Sequence, residues 1–93
     1  MELTKFFTNP EIEVIQQAMA FEINCQQVAL DHCLENNYAE NAKGHRNEID
    51  LLELIMFIVD LYNPRFNSLQ RCVLENLVPR AGNHALWAKL DLL

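Results

Sequence analysis

The 93-residue sequence predicts an all-α fold: a compact four-helix domain with two long apolar helices and two shorter ones. Hydrophobic residues make up 51% of the chain and charged residues 22%, which is typical of a folded domain and not of a disordered segment. Two glycines and three prolines leave few positions where a helix must stop. A chain of this length has room for one hydrophobic core, so we expect residues 1–93 to form a single helical domain.

The first long helix is predicted to begin near residue 10. Either Asn9 caps it with Pro10 at the first helical position, or Thr8 forms a capping box with Glu11. No glycine or proline follows until well beyond Glu35, where two consecutive asparagines favour the end of the helix.

Apolar residues of this helix fall into two neighbouring stripes when placed at about 100° per residue. The first stripe has heptad-like spacing and contains Val14, Ala18, Phe21, Cys25 and Val28. The second contains Ile12, Ile15, Met19, Ile23, Leu30 and Cys33. Together they span roughly 220°, well beyond the ~100° stripe of an ordinary surface helix, so we expect this helix to be covered on two sides.

The second long helix contains the apolar-rich stretch from Glu48 to Tyr62, which is apolar around most of its circumference, and Gly44 leaves the upstream start of the helix open. Residues 38–43 form either a helical turn or a loop upstream of Gly44. Two such helices expose more apolar surface than two short helices can cover. The sequence therefore predicts self-association, most simply a homodimer, or a partner helix.

The two shorter helices follow. The third begins after Asn63 or after Asn67 and ends before Pro79, because proline disfavours a helical residue before it. Gly82 and Asn83 precede a fourth helix, whose apolar residues are Leu86, Trp87, Leu90 and Leu93.

Charge and cysteine content limit the compartment and the partners. Thirteen acidic residues against seven Lys and Arg give a net charge of -6, the wrong sign for binding through phosphate neutralisation, which disfavours nucleic acid as a partner. Cys25, Cys33 and Cys72 are odd in number and match neither a disulfide framework nor a zinc knuckle, which indicates reduced thiols in the cytoplasm. The segment 1–7 has no apolar signal core, and the apolar run 54–59 is too short to span a membrane.

Neither a catalytic residue nor a cofactor or metal site is predicted. The only serine, Ser68, lacks the small-residue elbow of a hydrolase nucleophile. Glu22 lies between the two stripes of the first helix, where we expect it to bond Gln26, Arg71 or a residue of a partner. The sequence therefore favours a protein that is not an enzyme.

Two alternative functions remain open. His32 with Glu35, and His45 with Glu48, are spaced to share a helix face and together favour a metal-binding regulatory protein. A nucleic-acid-linked regulator is the other alternative. It rests on polar residues that resemble the lining of a recognition helix, namely Arg65, Asn67, Ser68, Gln70 and Arg71.

Phe57 is the strongest candidate for a binding residue. On the second helix it points into the polar arc, where Asp50, Glu53 and Asp60 surround it. An aromatic ring among carboxylates has the composition of a protein-binding hot spot that fits an apolar pocket with a basic rim. The sequence therefore predicts a cytoplasmic protein that binds another protein as an inhibitor, an immunity-like or antitoxin-like protein, or an adaptor or chaperone.

Overall fold

The computed structural model describes residues 5–93, so Met1–Thr4, part of the segment in which no secretion signal is expected, lie outside it. Four helices follow one another along the described chain: α1 (Asn9–Glu35), α2 (Ala39–Val59), α3 (Ser68–Leu77) and α4 (His84–Leu92). The predicted all-α fold with two long and two short helices is confirmed.

Local capping sets the starts of α1 and α3. The N–H of Thr8 donates to Glu11 Oε1 at 2.8 Å, and the N–H of Glu11 donates to Thr8 Oγ1 at 3.4 Å. Of the two starts considered for α1, the capping box is therefore the correct one. Asn67 and Gln70 form the same reciprocal pair at 2.8 and 2.9 Å, which places the start of α3 after Asn67. The predicted end of α3 before Pro79 is also confirmed.

The predicted end of α2 at Tyr62 is wrong, whereas its start, which Gly44 leaves open in the sequence, takes the helical alternative for residues 39–43. The helix begins at Ala39 and runs through Gly44, which faces open space. An exposed glycine costs a helix only about 1 kcal/mol, and the helix-forming residues around it offset that cost. The helix ends at Val59, before Tyr62, because the N–H groups of Asp60 and Leu61 donate to carbonyls three residues back and tighten the last turn.

A three-residue turn joins α1 and α2 into an antiparallel hairpin. Asn37 adopts the left-handed conformation, with a φ of 61°, which asparagine tolerates better than most residues. At the open end of the hairpin, the side chain of Gln16 on α1 donates to the carbonyl of Met56 on α2 at 3.2 Å.

The main hydrophobic core lies at this open end, where α3 and α4 pack against the hairpin. Its most deeply buried residues come from all four helices and from the segments flanking them. They are Phe7, Ile12, Ile15, Met19, Leu52, Ile55, Val59, Leu74, Val78, Leu86, Trp87 and Leu90. Burying each large side chain contributes about 1.5–3 kcal/mol, so this end supplies most of the apolar stabilisation.

The half of the hairpin near its turn does not pack against α3 or α4 through buried residues. A smaller buried cluster of Leu30, Cys33, Ala42 and Ile49 joins α1 to α2 there, without a residue from α3 or α4. The described chain is correspondingly elongated, measuring 54 × 28 × 21 Å.

The expected coverage of α1 on two sides is wrong for the half of the helix near the turn. The second stripe is buried against α2, except that Ile23 is half-buried. In the first stripe Val14 and Ala18 are half-buried, whereas Phe21 and Val28 are each 71% exposed. The two short helices reach only one end of the hairpin, which leaves the rest of this stripe bare.

Contacts of Trp87 and Asn83 hold α4 to the chain that precedes it. The indole N–H of Trp87 donates to the carbonyl of Pro79 at 3.2 Å, and the Arg80 guanidinium lies 4.0 Å from the centroid of its ring. Asn83 stands at the predicted position before α4, but its side chain donates to Pro79 and caps no N–H of the helix. Gly82 makes the turn with a φ of 77°.

Candidate protein-binding surface

Phe57 lies on the side of α2 that faces away from α1. Leu52, Ile55 and Val59 are fully buried and define the core side of the helix. At 100° per residue, Phe57 falls roughly 165° away from that side. Its ring is 65% exposed, so the predicted orientation is confirmed and neither short helix covers it.

Leu54 lies beside Phe57 on the surface of α2, three residues before it, and Leu61 follows two residues after the end of α2; both are exposed. Asp50 and Glu53, also exposed, continue the same face toward the start of the helix. These five residues, Asp50, Glu53, Leu54, Phe57 and Leu61, are called the Phe57 surface. It joins three apolar side chains to two carboxylates, and all of these residues except Leu61 belong to α2.

The third predicted acid, Asp60, is engaged within the chain. Lys5 Nζ donates to Asp60 Oδ1 at 2.7 Å, and this hydrogen bond raises the pKa of Lys5. The same ammonium group lies 5.8 Å from the centroid of the Tyr62 ring. Among residues 5–93, neither Asp50 nor Glu53 takes part in an ion pair. The negative charge beside Phe57 therefore comes from Asp50 and Glu53.

Sequence reasoning missed the part played by Lys5. It stands 55 residues from Asp60 in the chain, and helical periodicity relates only neighbouring turns. Nothing in the sequence around Lys5 indicates that Asp60 is its partner.

Glu22, Gln26 and His45 form a chain of hydrogen bonds across the hairpin. Gln26 Nε2 donates to Glu22 Oε1 at 2.9 Å, and Gln26 Oε1 lies 2.6 Å from His45 Nδ1. A carbonyl oxygen only accepts, so Nδ1 of His45 carries the hydrogen. All three residues are half-buried. Of the partners expected for Glu22, Gln26 is the one observed.

Neither of the two His–Glu pairs forms a metal site in the described residues. His45 is bonded to Gln26, and the side chain of His32 contacts that of Asn36 at 3.4 Å. Over residues 5–93, no three His, Cys, Asp or Glu side chains converge in a way that could hold a metal ion.

The three thiols occupy different environments, and none is bonded to another. Cys33 is buried in the smaller core cluster, whereas Cys25 and Cys72 are exposed. Cys25 is exposed because the stripe of α1 to which it belongs is not covered at that point.

Comparison of the chain with protein-family models, with curated proteins and with solved structures gave no significant match. In the part of the chain that the structure describes, none of the helices is both apolar enough and long enough to traverse a bilayer.

Proposed function

We propose that this protein acts by binding another protein through the Phe57 surface, without a catalytic step of its own. The observation that carries the proposal is an exposed aromatic ring on a helix whose opposite side is anchored in the core, with exposed Leu54 on the same helix and exposed Leu61 just after its end. Aromatic residues dominate the energetics of protein interfaces, and a rigid helix presents them at little entropic cost.

The charges on this surface define the partner. Asp50 and Glu53 stand two turns and one turn before Phe57, respectively, free of ion pairs in the described chain. The complementary surface therefore offers an apolar pocket for the ring, with Lys or Arg on the side that meets the acids. Blocking such a partner, as an inhibitor, an immunity protein or an antitoxin does, and escorting it as an adaptor or chaperone both fit this arrangement. The proposed compartment is the cytoplasm.

The metal-binding and nucleic-acid-linked alternatives have less support. His45, which a metal site would need, is held by Gln26, and the net charge of -6 opposes binding to phosphates.

The test compares variants of the Phe57 surface with a matched control elsewhere. Four tagged forms of the protein are purified from the cells that naturally make it: wild type, Phe57→Ala, Glu53→Lys and Leu92→Ala. The proteins that accompany each form are quantified. Leu92 is the control because it is 79% exposed and belongs to α4. Proteins retained by wild type and by Leu92→Ala, but lost from both other variants, are then purified and titrated.

We expect one such partner to form a complex of defined stoichiometry. Its affinity should fall by roughly 30-fold or more for Phe57→Ala, since truncation of a hot-spot residue costs about 2 kcal/mol or more. Added salt should slow association, because the acids attract a basic surface. If every accompanying protein binds Phe57→Ala as tightly as it binds wild type, the proposal is wrong.

A further inference from the structure

A second apolar surface runs along α1 and is independent of the Phe57 surface. Its residues are Val14, Ala18, Phe21, Cys25 and Val28, here called the α1 seam. Their alternating spacing of four and three residues is that of the core positions of a coiled coil. The seam lies roughly 140° around α1 from the side that packs on α2.

The first half of the seam lines one side of a groove, and residues at the end of α3 line the other side. Val14, Ala18 and Phe21 form one side of this groove, and Leu77 and Pro79, at the end of α3, form the other. The groove encloses about 540 Å³, within the size range of ordinary binding clefts, and is open along its length. Beyond Phe21 the wall ends, and Cys25 and Val28 continue the seam in the open.

The charge along α1 indicates whether a second copy of the chain or a different protein binds the α1 seam. The α1 helix contains five acidic residues and no lysine or arginine. Glu22 lines the groove, and Asp31 flanks the seam near Val28. Two seams facing each other would bring acid toward acid, which disfavours a homodimer at this surface.

The carboxylates along the seam are bonded to glutamine side chains. Glu13, Glu22 and Asp31 each accept a hydrogen bond from a glutamine four residues away, at 2.9–3.1 Å, and not from a cation. A glutamine amide orients a carboxylate without neutralising it. The negative potential along α1 is therefore available to a partner.

We propose that the α1 seam binds an amphipathic helix of another protein, with apolar residues at heptad spacing and Lys or Arg on its flanks. The apolar side of that helix fills the groove beside Leu77 and Pro79 and covers Phe21 and Val28. Its basic residues pair with Glu22 and Asp31. This second site lets the protein hold two segments of a partner, or two partners, at the same time.

Two synthetic helical peptides of about three heptads test the charge and the spacing together. Both carry leucine at the core positions; one has lysine on its flanks and the other glutamate. Binding to the full chain is followed by fluorescence anisotropy of the labelled peptides. The lysine peptide should bind at least tenfold more tightly than the glutamate peptide, and equal affinity or no binding of the lysine peptide would overturn the proposal.

Variants locate the binding site. The double variant Phe21→Ala/Val28→Ala should weaken binding of the lysine peptide more than tenfold, whereas Phe57→Ala should leave it unchanged. Both truncated side chains are mostly exposed, so the circular dichroism spectrum should stay that of the wild-type fold. Loss of binding with Phe57→Ala, but not with the double variant, would assign the peptide to the other surface and end the proposal.

The two exposed thiols provide an internal readout. Cys25 lies in the α1 seam and Cys72 on α3, so the lysine peptide should slow alkylation of Cys25 severalfold without slowing that of Cys72. Light scattering of the protein alone should give the same oligomeric state for wild type and for the double variant. A dimer that the double variant abolishes would show that a second copy occupies the seam, and the proposal would then be wrong.

Discussion

Lys89 on α4 donates to Glu11, in the first turn of α1, at 2.6 Å, across 78 residues of sequence. Glu11 also accepts the N–H of Thr8, so one carboxylate caps α1 and holds α4 in place. The Lys89 ammonium lies 5.9 Å from the centroid of the Phe6 ring as well. This contact ties the two ends of the described chain together beside the main core.

Removing the lysine charge should loosen α4. We expect Lys89→Met to lower the free energy of unfolding by about 1–2 kcal/mol, the range of a charge-assisted hydrogen bond that solvent partly screens. Lys43→Met is the matched control, since Lys43 is exposed on α2 and should change stability by less than about 0.5 kcal/mol. Urea denaturation measures both, and equal losses would contradict the role given to the pair.

Stability should also depend on pH through Glu11. Burial of this carboxyl by itself raises its pKa, but hydrogen bonds from Lys89 and Thr8 outweigh burial, and the pKa is lowered. A carboxyl with a lowered pKa in the folded state stabilises the fold fully above its unfolded value, about 4.3 for glutamate, and loses that contribution as the pH falls through the folded value. The stability gap between wild type and Glu11→Gln should therefore shrink on acidification, as urea denaturation across this range can show. A gap independent of pH would exclude this linkage.

The helix starts that the sequence predicts correctly depend on groups within one turn. Thr8 with Glu11, and Asn67 with Gln70, complete their capping boxes inside four residues, so the pattern alone is enough. Periodicity likewise determines the orientation of Phe57, because the buried residues of the same helix define its core side.

The ion pairs and the exposed half of the α1 seam could not be predicted from the sequence, because they depend on how segments distant in the sequence pack against each other. Both ion pairs of the described chain, Lys5 with Asp60 and Lys89 with Glu11, join residues from different elements. The bare half of the α1 seam has the same origin. Its residues are as apolar as those that became core, and only the position of α3 and α4 at the other end of the hairpin decides that Phe21 remains exposed.

Gly44 shows how weak a single helix breaker is when packing favours the helix. No atom lies within 4 Å of the position that a Cβ would take, so Gly44→Ala should stabilise the protein by about 0.5–1 kcal/mol. Gly82→Ala provides the contrast: its space is equally open, but its φ of 77° strains any other residue, and we expect a loss of about 1 kcal/mol. Thermal unfolding of the two variants should shift in opposite directions. A lower unfolding temperature for both variants would mean that α2 does not run unbroken through Gly44, and a higher one for both would mean that position 82 does not need glycine.

Phe57 and Leu52 lie on the same helix, but we expect truncation of Leu52 to destabilise the protein strongly and truncation of Phe57 to change its stability little. Leu52 is fully buried in the main core, so Leu52→Ala should cost about 2–5 kcal/mol through lost contacts and the cavity left behind. Phe57→Ala removes a larger side chain from a position that is mostly solvent, and stability should change by no more than about 0.5 kcal/mol. Urea denaturation of both variants gives the comparison. A cost for Phe57→Ala near that of Leu52→Ala would place the ring in the core and remove the basis for binding a partner there. A negligible cost would leave the ring free to bury its apolar area in an interface.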